Sequence, residues 1–329
     1  MIAARSSDAG HYPRFIACHN HSMNNQSPEN MKLDEAIALL KTNGYRVIRP
    51  FEPRTTYSDS PPPEKLLKAA VLDTETTGLD PVEDKIIELG IVVFEYCPET
   101  GQAYRVLETF NELEDPGMPI SPESTKIHNI TDEMVAGKRI DDAAVQALMS
   151  DVSIVIAHNA SFDRGFVEAR LPMFARKAWA CSFAQVAWKN EGMGGASLEF
   201  LAYRYGFHFG GHRASVDCHA LLEVLQCDLP ESGGKVMKAL LANARGNEIK
   251  VWALNSPFDS KDKLKAHSYR WEPERKTWTV LLPQANLPQE VDWLREHVYQ
   301  GRPFKLELEK IDAFHRFTSR RGTTETVSY

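Results

Sequence analysis

The stretch Ala70-Val71-Leu72-Asp73-Thr74-Glu75-Thr76-Thr77-Gly78-Leu79 decides how the rest of the chain is read. Its apolar start, rich in β-formers, predicts a buried strand. The strand delivers two carboxylates, Asp73 and Glu75, at its polar C-terminal end. Residues two apart on a strand project to the same face, so both acids look into one space. Thr77-Gly78 then turns the chain. Two like charges so close are costly unless a cation sits between them, and oxygen-rich clusters suit Mg²⁺ or Mn²⁺. Taken alone, the pair is equally compatible with a strand end carrying two solvated acids, so its surroundings have to decide.

At 329 residues the chain has length for two domains, and 43% hydrophobic with 25% charged residues is ordinary for a soluble globular protein. A net charge of −7 argues against coating nucleic acid through bulk electrostatics. It does not exclude a metal-dependent enzyme, because bound cations invert the local charge of an acidic site. The five cysteines are odd in number, scattered and without a CxxC pair. That spacing argues against a disulfide framework or zinc site and for a reducing compartment. Met1 to Arg14 holds no apolar h-region and no run approaches transmembrane length, so a cytoplasmic protein with no membrane partner is expected.

Six segments are expected. Residues 1–30 are polar and read as a disordered N-terminus. Residues 31–66 read as a helix-strand appendage and linker. In it Leu33, Ala36, Ile37, Leu39 and Leu40 share a helical face, Gly44 stops the helix and Tyr45 to Ile48 forms a short strand. The Pro-rich run Pro50 to Pro63 is the linker. Residues 67–229 hold strands at Ala69–Asp73, Ile86–Phe94, Tyr104–Phe110 and Val152–Ala157, with helical pieces between Ser124 and Ser150, Thr131 being a candidate N-cap. Strands followed by alternating helices and strands predict an α/β fold, a mixed sheet with helices on its faces. Residues 230–246 are a linker that carries a short helix, Val236 to Ala244, 247–312 a small α+β accessory domain and 313–329 a tail, of which Ser319 to Tyr329 is expected to be disordered.

Two further constellations lie in the central segment. His158-Asn159-Ala160-Ser161-Phe162-Asp163 follows the last strand; Ser161 or Asn159 can cap the next helix, with Asp163 in its first turn. Gly210-Gly211-His212-Arg213-Ala214-Ser215-Val216-Asp217 places a histidine in a glycine turn and an acid on the helix after it. A strand-borne D-x-E, then H-N-x-x-F-D, then H-x-x-x-x-D resembles the DEDDh family of 3′–5′ exonucleases. This DnaQ-like group includes the proofreading epsilon subunit of bacterial DNA polymerase III and oligoribonuclease-type and ribonuclease T-type enzymes. Thr76-Thr77-Gly78-Leu79, Ile127-His128-Asn129-Ile130-Thr131-Asp132 and Ser197-Leu198 are secondary matches. The resemblance covers residues 68–228, and no catalytic position departs from the pattern.

The resemblance implies a ribonuclease H-like mixed sheet. It also implies that Asp73, Glu75, Asp163 and Asp217 hold two divalent ions, Mg²⁺ or Mn²⁺, about 4 Å apart at a phosphodiester. Phosphoryl transfer there is catalysed mostly by positioning and charge neutralisation. His212 is the implied general base, imidazole having an intrinsic pKa of about 6.5. Thr76, Thr77, Gly78, Leu79 and His128 would grip or wedge the terminal nucleotides, with Asn159 and Phe162 nearer to structural supports. Arg213 is expected to face solvent or a phosphate. The implied partner is nucleic acid, single-stranded DNA or 3′ ends first and RNA second, with release of nucleoside 5′-monophosphates in proofreading or repair. An idle site that grips a strand end without turnover is the other class, and the complete set of four acids with His212 argues against it.

The accessory segment reads β-α-β-β-α-β, the split βαβ of ferredoxin-like domains. Its Trp252, Tyr269, Trp271 and Trp278 lie near Lys261, Lys263, Lys265, Arg270, Arg275 and Lys276. Two readings stay open: aromatics packed between sheet and helices, or a basic stacking face for bases.

Overall fold

The computed structural model describes residues 28–329, which divide into two compact units at Leu241 and Ala242. The expectation for residues 1–30 therefore lies outside the described residues, except where α1 (Pro28–Thr42) begins. Gly44 ends that helix at φ 80°, but Leu33 and Leu39 of its expected apolar face are more than half exposed. Tyr45 to Ile48, expected as a strand, joins no sheet among the described residues, although Tyr45 N–H donates to Leu40 O and Arg46 to Arg204 O; strand pairing starts at β1 (Arg49–Pro50).

The Pro-rich stretch expected as a linker is instead strapped to the first unit. Phe51 N–H donates to His208 O at 2.8 Å, and Tyr57 N–H to Tyr104 O at 2.8 Å. Arg54 reaches Glu223 at 2.6 Å. Prolines exclude a regular ladder, yet the residues between them still find partners one at a time.

The central sheet runs β2 (Leu67–Thr76), β3 (Ile86–Tyr96) and β4 (Ala103–Leu113) as an antiparallel meander. After α2 (Pro122–His128), α3 (Asp132–Val135) and α4 (Asp142–Leu148), β5 (Val152–Ala157) joins β2 in parallel. α5 (Ala160–Arg170) leads to β6 (Trp179–Cys181), parallel to β5. The order β4-β3-β2-β5-β6 is a ribonuclease H-like mixed sheet with β2 at its centre. Ala69 to Leu72 are fully buried, as expected for a strand covered on both faces.

α6 (Leu198–Tyr205) starts at the Ser197 hydroxyl, which accepts from Phe200 N–H, and ends at Gly206 in the left-handed region. β7 (Phe207–His208) then pairs with β1. α7 (Ala214–Leu225) packs across β2 and β3. Its approach depends on Gly90, where a Cβ would lie 2.4 Å from the Ala214 carbonyl carbon and 2.6 Å from Ser215 N. α8 (Val236–Arg245), the short helix expected within the linker, buries Val236, Met237, Leu240 and Leu241.

The second unit contains β8 (Glu248–Ala253), α9 (Lys261–Ala266), β9 (Arg270–Glu272), β10 (Thr277–Pro283), α10 (Leu287–Trp293), β11 (Lys305–Ile311) and β12 (Thr323–Ser328). Its sheet order is β12-β11-β8-β10-β9, with every neighbouring pair antiparallel. Four of these strands interleave as a split βαβ does, and β12 is added at one edge. The tail expected to be disordered thus supplies a strand, its alternating Thr324, Thr326 and Ser328 extending the β11 edge. Trp252 is buried between the Lys250 ammonium (4.7 Å) and the Arg275 guanidinium (4.4 Å), while Trp271 is 48% exposed and meets Trp278 edge-on at 5.6 Å. No helix among the described residues is long and apolar enough to cross a membrane.

Candidate active site

Strand alternation puts Asp73 and Glu75 on one face of β2, and α7, held close by Gly90, brings Asp217 to them. One carboxylate oxygen from each of these three lies within 4.8 Å of the others. Asp163, in the first turn of α5, completes the set from the other side, with its Oδ1 accepting from Thr74 N–H (3.0 Å) and Thr74 Oγ1–H (2.9 Å). Of the two expected caps, Asn159 occupies the N-cap position of that helix. Asn159 sits at φ 77° with no side-chain cap bond, and the Ser161 hydroxyl donates to Asn159 Oδ1 instead.

All four acids line one cavity of about 400 Å³ together with Asn159, Phe162 and His212. Burial, then the charges of Asp163, Asp217 and Glu75, holds Asp73 well above the usual carboxylate range. Burial and the neighbouring Asp217 and Glu88 push Glu75 up to about 8. Burial likewise takes Asp163 to about 7, against the Thr74 hydrogen bonds, and Asp217 to about 6, against the bond from Arg213. Raised values throughout a cluster of hard oxygen donors are what divalent cations would relieve, so the residues present fit such ions.

His212 is exposed and adopts φ 66°, so the histidine, rather than either preceding glycine, takes the left-handed turn. Gly211 lies close to the acids: a Cβ there would meet Glu199 Oε1 at 3.3 Å and Asp217 Oδ1 at 3.7 Å.

Arg213 is partly exposed, as expected, but it also holds an ion pair that was not expected. Its Nη2 and Nε bind Glu88 at 2.9 and 3.2 Å, and its backbone N–H donates to Asp217 Oδ2 at 3.0 Å. Glu88 is fully buried, stands opposite Glu75 in the β2–β3 register and also accepts from Asn111 Nδ2 and Ala214 N–H. Burial alone would raise the Glu88 carboxyl; the Arg213, Asn111 and Ala214 donors outweigh it and hold it below the usual range. The sequence did contain a signal: one glutamate inside the otherwise apolar run Ile86 to Phe94. A buried charge in a core strand requires partners.

The remaining expected contacts divide. Leu79 is 84% exposed on the loop after β2. The Thr76 hydroxyl donates to Gly78 O, and the Thr77 hydroxyl to Asp84. None of these residues lines the cavity, and neither does His128. His128 is buried, its Nδ1 accepts from Ile130 N–H and burial lowers its pKa, so it offers no ligand surface. Sequence reasoning gave no site role to His158, Phe183, Leu198 or Glu199, which do line the cavity. His158 ties the end of β5 to the approach of α6 through Ser182 Oγ (2.8 Å) and Ala196 O (2.7 Å). Such long-range partners leave no local signal.

Residues 70–225 match the family described as "RNase_T: Exonuclease". DNA polymerase III subunit epsilon of Treponema pallidum (strain Nichols) is 32% identical over 165 residues, 46% of this chain and 72% of that protein. A PolC-type DNA polymerase III of Lacticaseibacillus paracasei is 29% identical over 168 residues, half of this chain and 11% of that much longer protein. Among solved structures, "Exonuclease X in complex with 5' overhanging duplex DNA" is similar at 29% identity with a TM-score of 0.38, covering 48% of this chain and 89% of that one.

Proposed function

The chain belongs to the DnaQ-like exonuclease family, and from that premise we propose that it is a divalent-metal-dependent 3′–5′ exonuclease that hydrolyses terminal phosphodiesters of DNA and releases nucleoside 5′-monophosphates. The observation that carries this reading is the convergence of Asp73, Glu75 and Asp217 oxygens within 4.8 Å. Asp163 and His212 share their cavity.

Asp73, Glu75, Asp163 and Asp217 hold two ions, Mg²⁺ or Mn²⁺. When bound, these supply charge neutralisation and Lewis acidity at the scissile phosphate. His212 accepts the proton of the attacking water at its imidazole, from a position on the wall of the same cavity as Asp217. Arg213 and Glu88 hold the turn that carries His212. Phe162, Phe183 and Leu198 offer the cavity an apolar wall on which the terminal base rests, and Asn159 stands at its edge. Backbone at Thr76 to Gly78 and the exposed Leu79 form the rim met by the next nucleotides. The setting in this reading is cytoplasmic, in DNA proofreading or repair.

The test is digestion of 5′-labelled single-stranded DNA and matching RNA in Mg²⁺, Mn²⁺ or EDTA, beside Asp73→Ala. A metal-dependent ladder shortening from the 3′ end, better on DNA and absent in the variant, is expected. Strand binding without cleavage in either metal would replace the enzyme reading by that of an idle strand-end binder.

A further inference from the structure

A second cavity, of about 500 Å³, is lined by Asn111, Glu112, Leu113, Lys138, Arg139 and Arg213. Its charged side chains are three cations and one acid. Glu112 is already engaged, its Oε2 accepting from Asp141 N–H at 2.7 Å. Asn111 is spent as well, its amide donating to Glu88 and its Oδ1 accepting from Ser215 N–H. Arg139 has a weak link to Asp142 at 3.9 Å and is 73% exposed, and Lys138 is exposed too. Arg213 gives Nε and Nη2 to Glu88, yet its side chain remains 44% exposed.

We propose that this cavity is a phosphate subsite, in which Lys138, Arg139 and the outer edge of Arg213 bind a non-scissile backbone phosphate of the nucleic-acid strand whose end occupies the carboxylate site. The inference rests on the exonuclease reading and deepens it. A chain of net charge −7 with four acids at its centre gains no affinity for a polyanion from its overall field. Affinity has to come from a local group of cations beside the acidic site, and phosphate contacts supply most strand affinity. Arg213 makes the placement consequential. The residue whose guanidinium edges this cavity also fixes Asp217 through its own N–H and follows His212 directly. A phosphate held here therefore bears on the turn that carries the proposed base. DNA and RNA share the phosphate, so the subsite binds either.

The test is strand binding without turnover. Fluorescent dT12 and rU12 are titrated in EDTA from about 50 to 300 mM salt with the full chain, with Lys138→Glu/Arg139→Glu, and with Arg176→Glu/Lys189→Glu. The last variant makes the same change in net charge at exposed positions away from the cavity. Each phosphate contact contributes roughly 0.7 to the slope of log K against log salt for a single strand. The subsite variant is expected to lose about one unit of slope and roughly tenfold in affinity at the lowest salt, and the control far less. Equal losses in both variants, no change of slope, or no strand binding by the unmodified chain would each overturn the subsite. Failure of the exonuclease reading is seen separately, as absence of Mg²⁺- or Mn²⁺-dependent digestion by the unmodified chain.

Discussion

Asp73→Asn should make the metal-free protein more stable while abolishing its response to metal. Asp73, Glu75 and Asp217 bring oxygens within 4.8 Å of one another. Two unit charges at that separation repel by roughly 3 to 4 kcal/mol at an effective dielectric constant of about 20. Retained protons relieve part of this, since Glu75 is pushed up to about 8, Asp163 to about 7 and Asp217 to about 6. A raised folded-state value means the folded chain binds the proton more tightly than the unfolded one. The resulting stability is fully present below the ordinary carboxylate range and is lost as pH rises through about 6 to 8. The isosteric amide removes one carboxyl whose charging, or whose retained proton, costs the folded chain at alkaline pH, so at pH 8 a gain of about 1 to 3 kcal/mol is expected. At roughly 2 to 4 °C per kcal/mol for a unit of this size, Tm should rise by about 3 to 10 °C. Thermal melts in EDTA at pH 5.5, 7 and 8.5 should show a falling Tm for the unmodified chain and a flatter profile for the variant. Adding Mg²⁺ or Mn²⁺ at pH 8.5 should restore the former by about 2 to 3 kcal/mol at a hundredfold excess over Kd, and leave the variant unmoved. A lower Tm for Asp73→Asn in EDTA at pH 8.5, or an undiminished response to metal, would refute the reasoning.

Three further outcomes follow from the packing. Arg213→Met leaves Glu88 buried without its cation and should cost about 3 kcal/mol in urea unfolding, much of it recovered in Glu88→Gln/Arg213→Met. Because the Glu88 carboxyl is held below its usual range, its contribution is present above that range and should be lost progressively in melts taken as pH falls through and below the ordinary glutamate range. Gly90→Ala drives a methyl into Ala214 and Ser215, so about 1 to 3 kcal/mol of stability should be lost, and metal affinity measured by calorimetry should fall as Asp217 is displaced. Arg54→Ala strands the buried Glu223 and should lower stability by about 1 to 3 kcal/mol, whereas a free linker would tolerate it.

The cluster of four acids was legible because its spacing is local. Asp73 and Glu75 share a strand face by period, and the H-N-x-x-F-D and H-x-x-x-x-D segments each open a helix, so spacing alone places their acids. The sheet was legible for a similar reason, since the apolar runs at β2, β3 and β5 are continuous and bounded by turns. Illegible features depend on residues far apart in sequence. Glu88 and Arg213 are 125 positions apart, and Arg54 and Glu223 are 169 apart. Proline content marked 50–63 as a linker because composition reports what cannot form a ladder, not which side chains will find a partner. The tail was misread for the converse reason: β12 has no apolar alternation, because it completes an edge through backbone pairing.

These hidden partners explain how a chain tolerates four acids at one point. Asp73 stands opposite Gly90, and Glu75 opposite Glu88, across the same two strands. The glycine lets α7 approach; the glutamate, through Arg213 and the Ala214 N–H, anchors the start of that helix. Asp217 is thus set against Asp73 and Glu75 by contacts within the chain. Gathering the acids in this way carries an electrostatic cost, which their raised carboxyl values express. If the anchor did not exist, electrostatic repulsion would move α7 outward and the carboxylates would return towards ordinary values. The stability gain in Asp73→Asn and the loss of metal affinity in Gly90→Ala are therefore two measurements of one arrangement, and both outcomes have to hold.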